Sequence, residues 1–199
     1  MHLCFQKMDH TREYDRQDIV NMIQDLVTRE ILTKLEADSI NVNKLVQYTK
    51  SNLWNELKHA KEVHKEQPFY ISMKSKDIYG GNSDDNILVQ GIIDLYYINK
   101  DGEIILVDYK TDYVEPNKEQ ELIDKYSKQL EIYQDALEKS LSQKVSEKYI
   151  YSVYLGKMIK VWMCQKGRRI LAQPKIIDWK SMILGTFLKI RKKGQNEIR

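Results

Sequence analysis

The sequence predicts an α/β fold, with a mixed central sheet flanked by helices. Three observations point there. The apolar patterns run helices, strands, helix, strands, the order of a layered sheet-and-helix domain. Two segments, 87–98 and 103–110, are rich in Ile, Val, Leu and Tyr on both alternating faces, as central buried strands are. Only 8 glycines and 3 prolines interrupt 199 residues, so long elements are favoured.

The elements follow in chain order. Residues 16–36 predict an amphipathic helix, because Ile23, Val27, Ile31 and Leu35 recur every four positions with Leu26 beside them. Residues 41–61 predict a second, carrying Val42, Leu45, Val46, Leu53, Leu57 and Ala60. From His64 to Met73 the pattern becomes strand-like, and Pro68 marks an edge or a bend. Residues 79–86 form a loop that lacks the Gly-Lys-Ser/Thr of a phosphate-binding turn and the spacing of a calcium loop. After the strands at 87–98 and 103–110 comes a long helix, 119–139. Strands at 145–155 and 158–163 then surround a Gly156-Lys157 turn. Residues 179–191 suit a helix that the pattern does not place against the rest.

Composition narrows the function classes. Length and mass, 199 residues and 23.7 kDa, suit one domain with appendages. Cys4 and Cys164 stand 160 positions apart, which excludes a disulfide framework, a zinc ribbon and a cluster held by four cysteines. A reducing, cytoplasmic setting is expected. No run of 18 apolar residues exists, and the first ten residues are too polar for a secretory signal. The net charge of +3 is asymmetric: residues 165–199 hold ten Lys/Arg against two Asp/Glu, and the remainder is mildly acidic. Such a basic tail either contacts nucleic acid or is simply solvated.

The segment 87–110 carries the chemistry. Gly102 suits the left-handed position of a three-residue loop, Lys100-Asp101-Gly102. That loop pairs residues whose numbers sum to 202, so Asp94 comes to face Asp108, with Cβ atoms about 4.5–5.5 Å apart. Lys110, two residues on, projects from the same face. Ile92, Tyr96 and Ile98 are expected on the Asp94 face, and Ile93, Leu95 and Tyr97 on the other. Two ionised carboxylates in such an apolar sheet repel each other and lack hydration. A bound magnesium ion resolves the conflict, with Lys110 free to orient water or to face developing negative charge. Alternatively the aspartates reach solvent at strand ends, and Lys110 is an ordinary ion-pair partner.

Gly91-Ile92-Ile93-Asp94 followed by Asp108-Tyr109-Lys110-Thr111-Asp112 resembles the catalytic core of the PD-(D/E)XK nucleases, in their RecB-like branch. Within that branch the likeness is to the nuclease domains of AddAB-type A subunits. The branch carries Gln-x-x-x-Tyr on the next helix, and Gln129 and Tyr133 match it at i, i+4, in a stripe with Leu122, Tyr126 and Leu137. It also carries a metal-binding histidine on an N-terminal helix, and His2 stands at the matching place. His10, His59 and His64 read as surface or strand residues. Glu66-Gln67-Pro68-Phe69 resembles the family's strand before the hairpin, with a supporting role open to Glu66. The family's proline before the first aspartate is Ile93 here. Four cluster-binding cysteines found in some relatives are absent, so no iron–sulfur cluster is expected.

The resemblance implies a restriction-endonuclease-like core over residues 1–164, helical to 62 and catalytic from 63, with 165–199 a basic extension of unassigned role. It implies hydrolysis of DNA phosphodiesters with Mg²⁺ or Mn²⁺ held by His2, Asp94, Asp108 and the Tyr109 carbonyl. Lys110 would position water, and Gln129 and Tyr133 would hold the Lys110 region or the DNA backbone. It further implies an exonuclease acting on single-stranded ends fed by a helicase in double-strand-break repair. A helicase region and a B subunit would be partners, and the chain a domain of a longer polypeptide. A stand-alone phage or mobile-element nuclease and a non-catalytic DNA-binding module are the alternatives. No membrane partner is expected.

Overall fold

The structure, a computed structural model, describes residues 1–79, 82–162 and 189–192. Five helices, α1 (His2–Lys7), α2 (Arg16–Thr28), α3 (Lys34–Asp38), α4 (Val42–Thr49) and α5 (Asn52–His59), precede strand β1 (Glu62–Lys74). Then come α6 (Ser75–Tyr79), β2 (Asn86–Ile98), β3 (Ile104–Lys110), α7 (Gln120–Leu141), β4 (Val145–Ser152), β5 (Lys157–Lys160) and β6 (Lys189–Lys192). The sheet order is β1-β2-β3-β4-β5, with β6 paired to β2. Among the described strands only β3 and β4 run parallel, joined by α7, so the sheet is mixed as expected.

The helical stretches are more divided than their periodicity predicts. Asp15 opens α2 through a reciprocal capping box with Asp18. The helix stops at Thr28, because Glu30 takes a left-handed φ of 56° and the Ile31 and Leu32 amides both turn back to the Leu26 carbonyl. Ile31 and Leu35 therefore leave the apolar stripe, and Leu35 is exposed. Thr33 and Glu36 form a second capping box that starts α3. The 41–61 stretch is likewise cut in two, because the Ser51 side chain accepts from the Trp54 amide and begins α5 anew.

The strands follow the sequence closely. The hairpin between β2 and β3 has the predicted register, Ile98↔Ile104 through Leu95↔Val107. Gly102 sits at φ +85°, and Asn99 closes the loop by accepting from the amides of Asp101 and Glu103. Every residue of β3 is buried. Pro68 lies on the edge strand, where its missing N–H is harmless. β4 ends at Ser152, earlier than expected, because Gly156 at φ +69° closes a tight turn onto the Ser152 carbonyl, and β5 ends at Lys160.

Residues 189–191 are strand where a helix was expected, and the earlier part of 179–191 lies outside the described residues. β3 leaves β2 at Leu95, so the Ile87–Gln90 edge of β2 still offers backbone donors and acceptors, and β6 pairs with them.

The side-chain phase of β1 and β2 also departs from simple alternation. Ile87, Val89 and Ile93 pack on the α7 side, but so does Tyr96, while Leu95 and Tyr97 pack on the opposite side. Phe69 and Ile71 of β1 share the α7 side, whereas Val63 lies opposite and His64 stacks on Tyr96 with centroids 4.4 Å apart. Both strands thus change phase between the same rungs, where Glu66 has φ +52° and drops out of the ladder opposite Asp94. The register is identical on either side: Lys65↔Leu95 and Gln67↔Ile93. Ile93 accordingly lies with Tyr96, not across from it as strict alternation requires.

Two apolar layers result. On one face, Leu106 and Ile150 pack against Leu130 and Tyr133 of α7. On the other, Leu95, Val107 and Tyr151 pack against Phe5, Leu45, Tyr48 and Trp54 of the N-terminal helices. α1 is too short to hold itself. It is fixed by Cys4, Phe5 and Met8, and the Phe5 ring stacks on Tyr109 at 4.6 Å. No helix among the described residues is long and apolar enough to cross a membrane.

α7 ends at Ser142, which is exposed and left-handed at φ 54°, a conformation that strains residues with a Cβ. Ser142→Gly is expected to stabilise the fold by about 1 kcal/mol and raise the melting temperature by roughly 2–4 °C. A thermal melt checks this, and an unchanged or lower midpoint contradicts the αL cap.

Candidate active site

The site forms where β2 and β3 part company. Their ladder runs to Leu95↔Val107 and ends one rung before Asp94 and Asp108. At that rung the Asp94 side chain takes over from the backbone: its Oδ2 accepts from the Tyr109 amide at 2.9 Å. The carboxylate replaces a ladder carbonyl, which holds it rigidly against the neighbouring strand.

Asp108 sits deeper, fully buried in the middle strand. The Lys110 Nζ lies 2.7 Å from its Oδ2, from the same face of β3 as the spacing predicts. That contact is a close charge-assisted pair, and among the described residues no other group donates to either Asp108 oxygen. Lys110 also donates to the Gln129 Oε1 at 3.0 Å, and the Gln129 amide nitrogen donates to the Tyr133 hydroxyl at 2.6 Å. The ammonium also rests 4.2 Å from the centre of the Tyr126 ring. The i, i+4 spacing of Gln129 and Tyr133 therefore builds a buried polar rail from α7 to the lysine.

His2 arrives from α1. Phe5, three residues on along the same helical face, stacks on the Tyr109 ring, and the same docking brings the His2 Nε2 to the Tyr109 carbonyl at 2.9 Å. The carbonyl only accepts, so Nε2 carries the proton in this arrangement. Nε2 is also 3.7 Å from the Asp94 Oδ2.

Burial pushes the Asp94 carboxyl above the usual range, against the favourable pull of His2 and the Tyr109 amide. Burial likewise raises Asp108, to about 6, with Lys110 opposing and the Asp94 charge adding to the rise. Glu66 is raised by burial as well, and its charge is felt at Asp94. Desolvation, more than mutual repulsion, thus strains the two aspartates. The Tyr133 hydroxyl is pushed far up by burial and by the Asp108 charge, so it stays neutral.

A divalent cation fits this arrangement. Asp108 offers two buried oxygens whose near partner is the Lys110 ammonium, in a place where a carboxylate with so little solvation is costly. His2 Nε2 and the Tyr109 oxygen, 2.9 Å apart beside Asp94, would be further donor atoms for such an ion. To serve as a ligand, His2 has only to move its proton to Nδ1. Among the described residues no three His, Cys, Asp or Glu side chains are gathered tightly enough to form a ligand cluster by themselves.

All seven residues singled out from the sequence, His2, Asp94, Asp108, Tyr109, Lys110, Gln129 and Tyr133, therefore meet in one region. His59 and His64 bond elsewhere, to the Asn55 carbonyl and to Glu62. Two features went unread. Tyr126 lies under the Lys110 ammonium, and its place in the α7 stripe with Gln129 and Tyr133 was the available signal. The left-handed Glu66 opposite Asp94 has no signature in a strand-like sequence.

A family model described as the PD-(D/E)XK nuclease superfamily matches residues 1–175. The A subunit of the ATP-dependent helicase/nuclease of Thermoanaerobacter sp. (strain X514) is 38% identical over 164 residues, 80% of this chain and 13% of the relative. The same-named protein of Clostridium novyi (strain NT) is 36% identical over 166 residues, 81% of this chain and 13% of the relative. That of Clostridium acetobutylicum is 40% identical over 149 residues, 73% of this chain and 12% of the relative. The chain thus spans only 12–13% of the length of these curated relatives.

The raised Asp108 carboxyl makes a signed prediction. Its protonated form is favoured in the fold, so its contribution to stability is complete below about pH 4 and is lost as pH rises through about 6. In EDTA, the parent should therefore lose up to about 3 kcal/mol relative to Asp108→Asn between pH 4 and pH 7. Paired denaturant melts across that range measure it. A pH-independent difference would show that Asp108 is not a buried titrating group.

Proposed function

This chain belongs to the PD-(D/E)XK nuclease superfamily, and from that premise we propose that it is a metal-dependent deoxyribonuclease domain whose reaction is centred on Asp94, Asp108 and Lys110. The observation that carries this reading is Asp108, a fully buried carboxylate whose near partner is the Lys110 ammonium, next to a second carboxylate whose orientation a backbone amide fixes. Acceptors left in that state make a site for a cation.

His2 Nε2, Asp94, Asp108 and the Tyr109 carbonyl would hold Mg²⁺ or Mn²⁺. Bound there, the ion supplies Lewis-acid polarisation of the phosphate and a water of lowered pKa. The remaining work falls to the chain. Lys110, pinned between the Asp108 Oδ2 and the Gln129 Oε1, orients the water and faces the charge that grows on the phosphate oxygens. Gln129 fixes the direction of the ammonium, and Tyr133 fixes Gln129. Tyr126 closes the remaining side of Lys110 with its ring.

The relatives are A subunits of helicase/nucleases, and this supports an exonuclease that degrades single-stranded ends delivered by a helicase. The corresponding partners are a helicase region and a B subunit, in cytoplasmic DNA repair. Residues 1–164 are the nuclease domain in this reading, and 165–199 a basic extension with β6 returning to the sheet.

A fluorescent single-stranded oligonucleotide should be cleaved with Mg²⁺ or Mn²⁺ and not with EDTA. Asp108→Ala should abolish cleavage, Lys110→Ala should slow it by about 10²-fold or more, and Gln129→Ala by roughly 10–100-fold. Undiminished cleavage in EDTA, or by Asp108→Ala, sinks the metal mechanism.

A further inference from the structure

β3 and β4 run parallel and end side by side, and the Val153 amide donates to the Lys110 carbonyl at 2.8 Å. The next residue beyond that bond is Tyr154. Three residues beyond Lys110 is Tyr113. Both tyrosines turn outward, 66% and 40% exposed for Tyr113 and Tyr154, and their rings meet edge to face with centroids 4.6 Å apart.

So exposed an aromatic pair gains less from burial than one in the core, yet the backbone on either side of it is anchored. Asp112, just before Tyr113, accepts from the Tyr126 hydroxyl at 2.8 Å and is paired with Lys125. Val114, just after it, is buried in the layer under α7. Tyr113 is thus presented outward between two anchored neighbours. Tyr154 sits in the tight turn that Ser152 and Gly156 close. Lys44 of α4 donates to the Tyr154 carbonyl, and its ammonium lies 5.2 Å from the centre of that ring. Among the described residues, no carboxylate forms an ion pair with Lys44.

We propose that Tyr113 and Tyr154, with Lys44 beside them, form a stacking platform for an unpaired nucleobase of the strand being cut, one step along from the phosphodiester at Asp108 and Lys110. The proposal rests on the nuclease reading above and adds to it the side chains that hold an unpaired base of the strand. A rigid, outward ring offers a π-face to any base without reading its edges, and an unpaired cation beside it meets the backbone phosphate. Because the rings are fixed before binding, little ordering is needed when a base arrives. In a duplex the same base is covered by its neighbours in the stack, so the platform favours frayed or single-stranded ends.

The fold supplies an internal control. Trp162 is 76% exposed, more than Tyr113, and has the Lys160 ammonium 4.9 Å from the centre of its ring. It lies just past Val161, whose amide donates to the Lys148 carbonyl, so it is level with the other end of β3, roughly 15 Å from Lys110 along the strands.

The test titrates a single-stranded oligodeoxynucleotide, with 2-aminopurine in place of every adenine, with the full 199-residue chain in EDTA. Stacking on the platform quenches the probe. Tyr113→Ala should lose most of the quenching and weaken binding about tenfold. Tyr113→Phe should keep both, because the hydroxyl is not used, and Trp162→Ala should keep both. Binding and quenching by Tyr113→Ala equal to the parent overturn the platform, as does an equal loss in Trp162→Ala. If the parent cuts DNA with Mg²⁺ while Tyr113→Ala binds unchanged, only the platform falls. If the parent neither binds nor cuts, the nuclease reading falls with it.

Discussion

A fully buried carboxylate, in the middle strand of a sheet covered on both faces, is the constraint from which the rest of this structure follows. Asp108 has no solvent exposure, and among the described residues Lys110 alone reaches its oxygens. Folding around it is unfavourable unless positive charge is brought close. The protein brings one such charge in Lys110 and steadies it with Gln129, which Tyr133 steadies in turn. The rail across α7 is therefore an electrostatic necessity of the fold, whatever chemistry the site performs. It also explains why a helix otherwise devoted to packing carries an amide and a phenol in its buried stripe.

The two apolar layers deliver different parts of the site. The layer under α7 supplies Gln129, Tyr133 and the Tyr126 ring. The layer under the N-terminal helices supplies His2, and does so through aromatic contacts: Phe5 stacks on Tyr109, and the Tyr48 and Tyr109 hydroxyls bond at 2.7 Å. Tyr109 thus serves both sides of the sheet. Its ring receives α1, its amide holds Asp94, and its carbonyl meets His2. An apolar substitution of its ring would disturb a polar site through a helix that touches the aspartates only at its first turn.

Much of this was legible in the sequence, for reasons that can be named. The turn around Gly102 fixed the register of β2 and β3, and a strand period of two placed Lys110 over Asp108. The helical period placed Gln129 with Tyr133. What escaped was governed by signals that compete with periodicity. Thr33 and Glu36 spelled a helix start inside the 16–36 stripe, as did Ser51 inside 41–61, and both local caps overrode the spacing of apolar residues. The pairing of β6 with β2 depends on backbone left free where β3 departs, and no side-chain pattern records that.

The change of phase at Glu66 and Asp94 has a consequence for how this sheet tolerates change in its length. The two strands keep one register on either side of that rung, because each makes the same departure from the pleat at the same level. Removing or adding a residue in β1 alone would turn Phe69 and Ile71 away from α7 while leaving their partners in place. The same event in β2 alone would expose Ile93 or misplace Asp94. Insertions and deletions in the two strands are therefore tolerable only as matched pairs, even though Glu66 and Asp94 lie 28 residues apart in the chain.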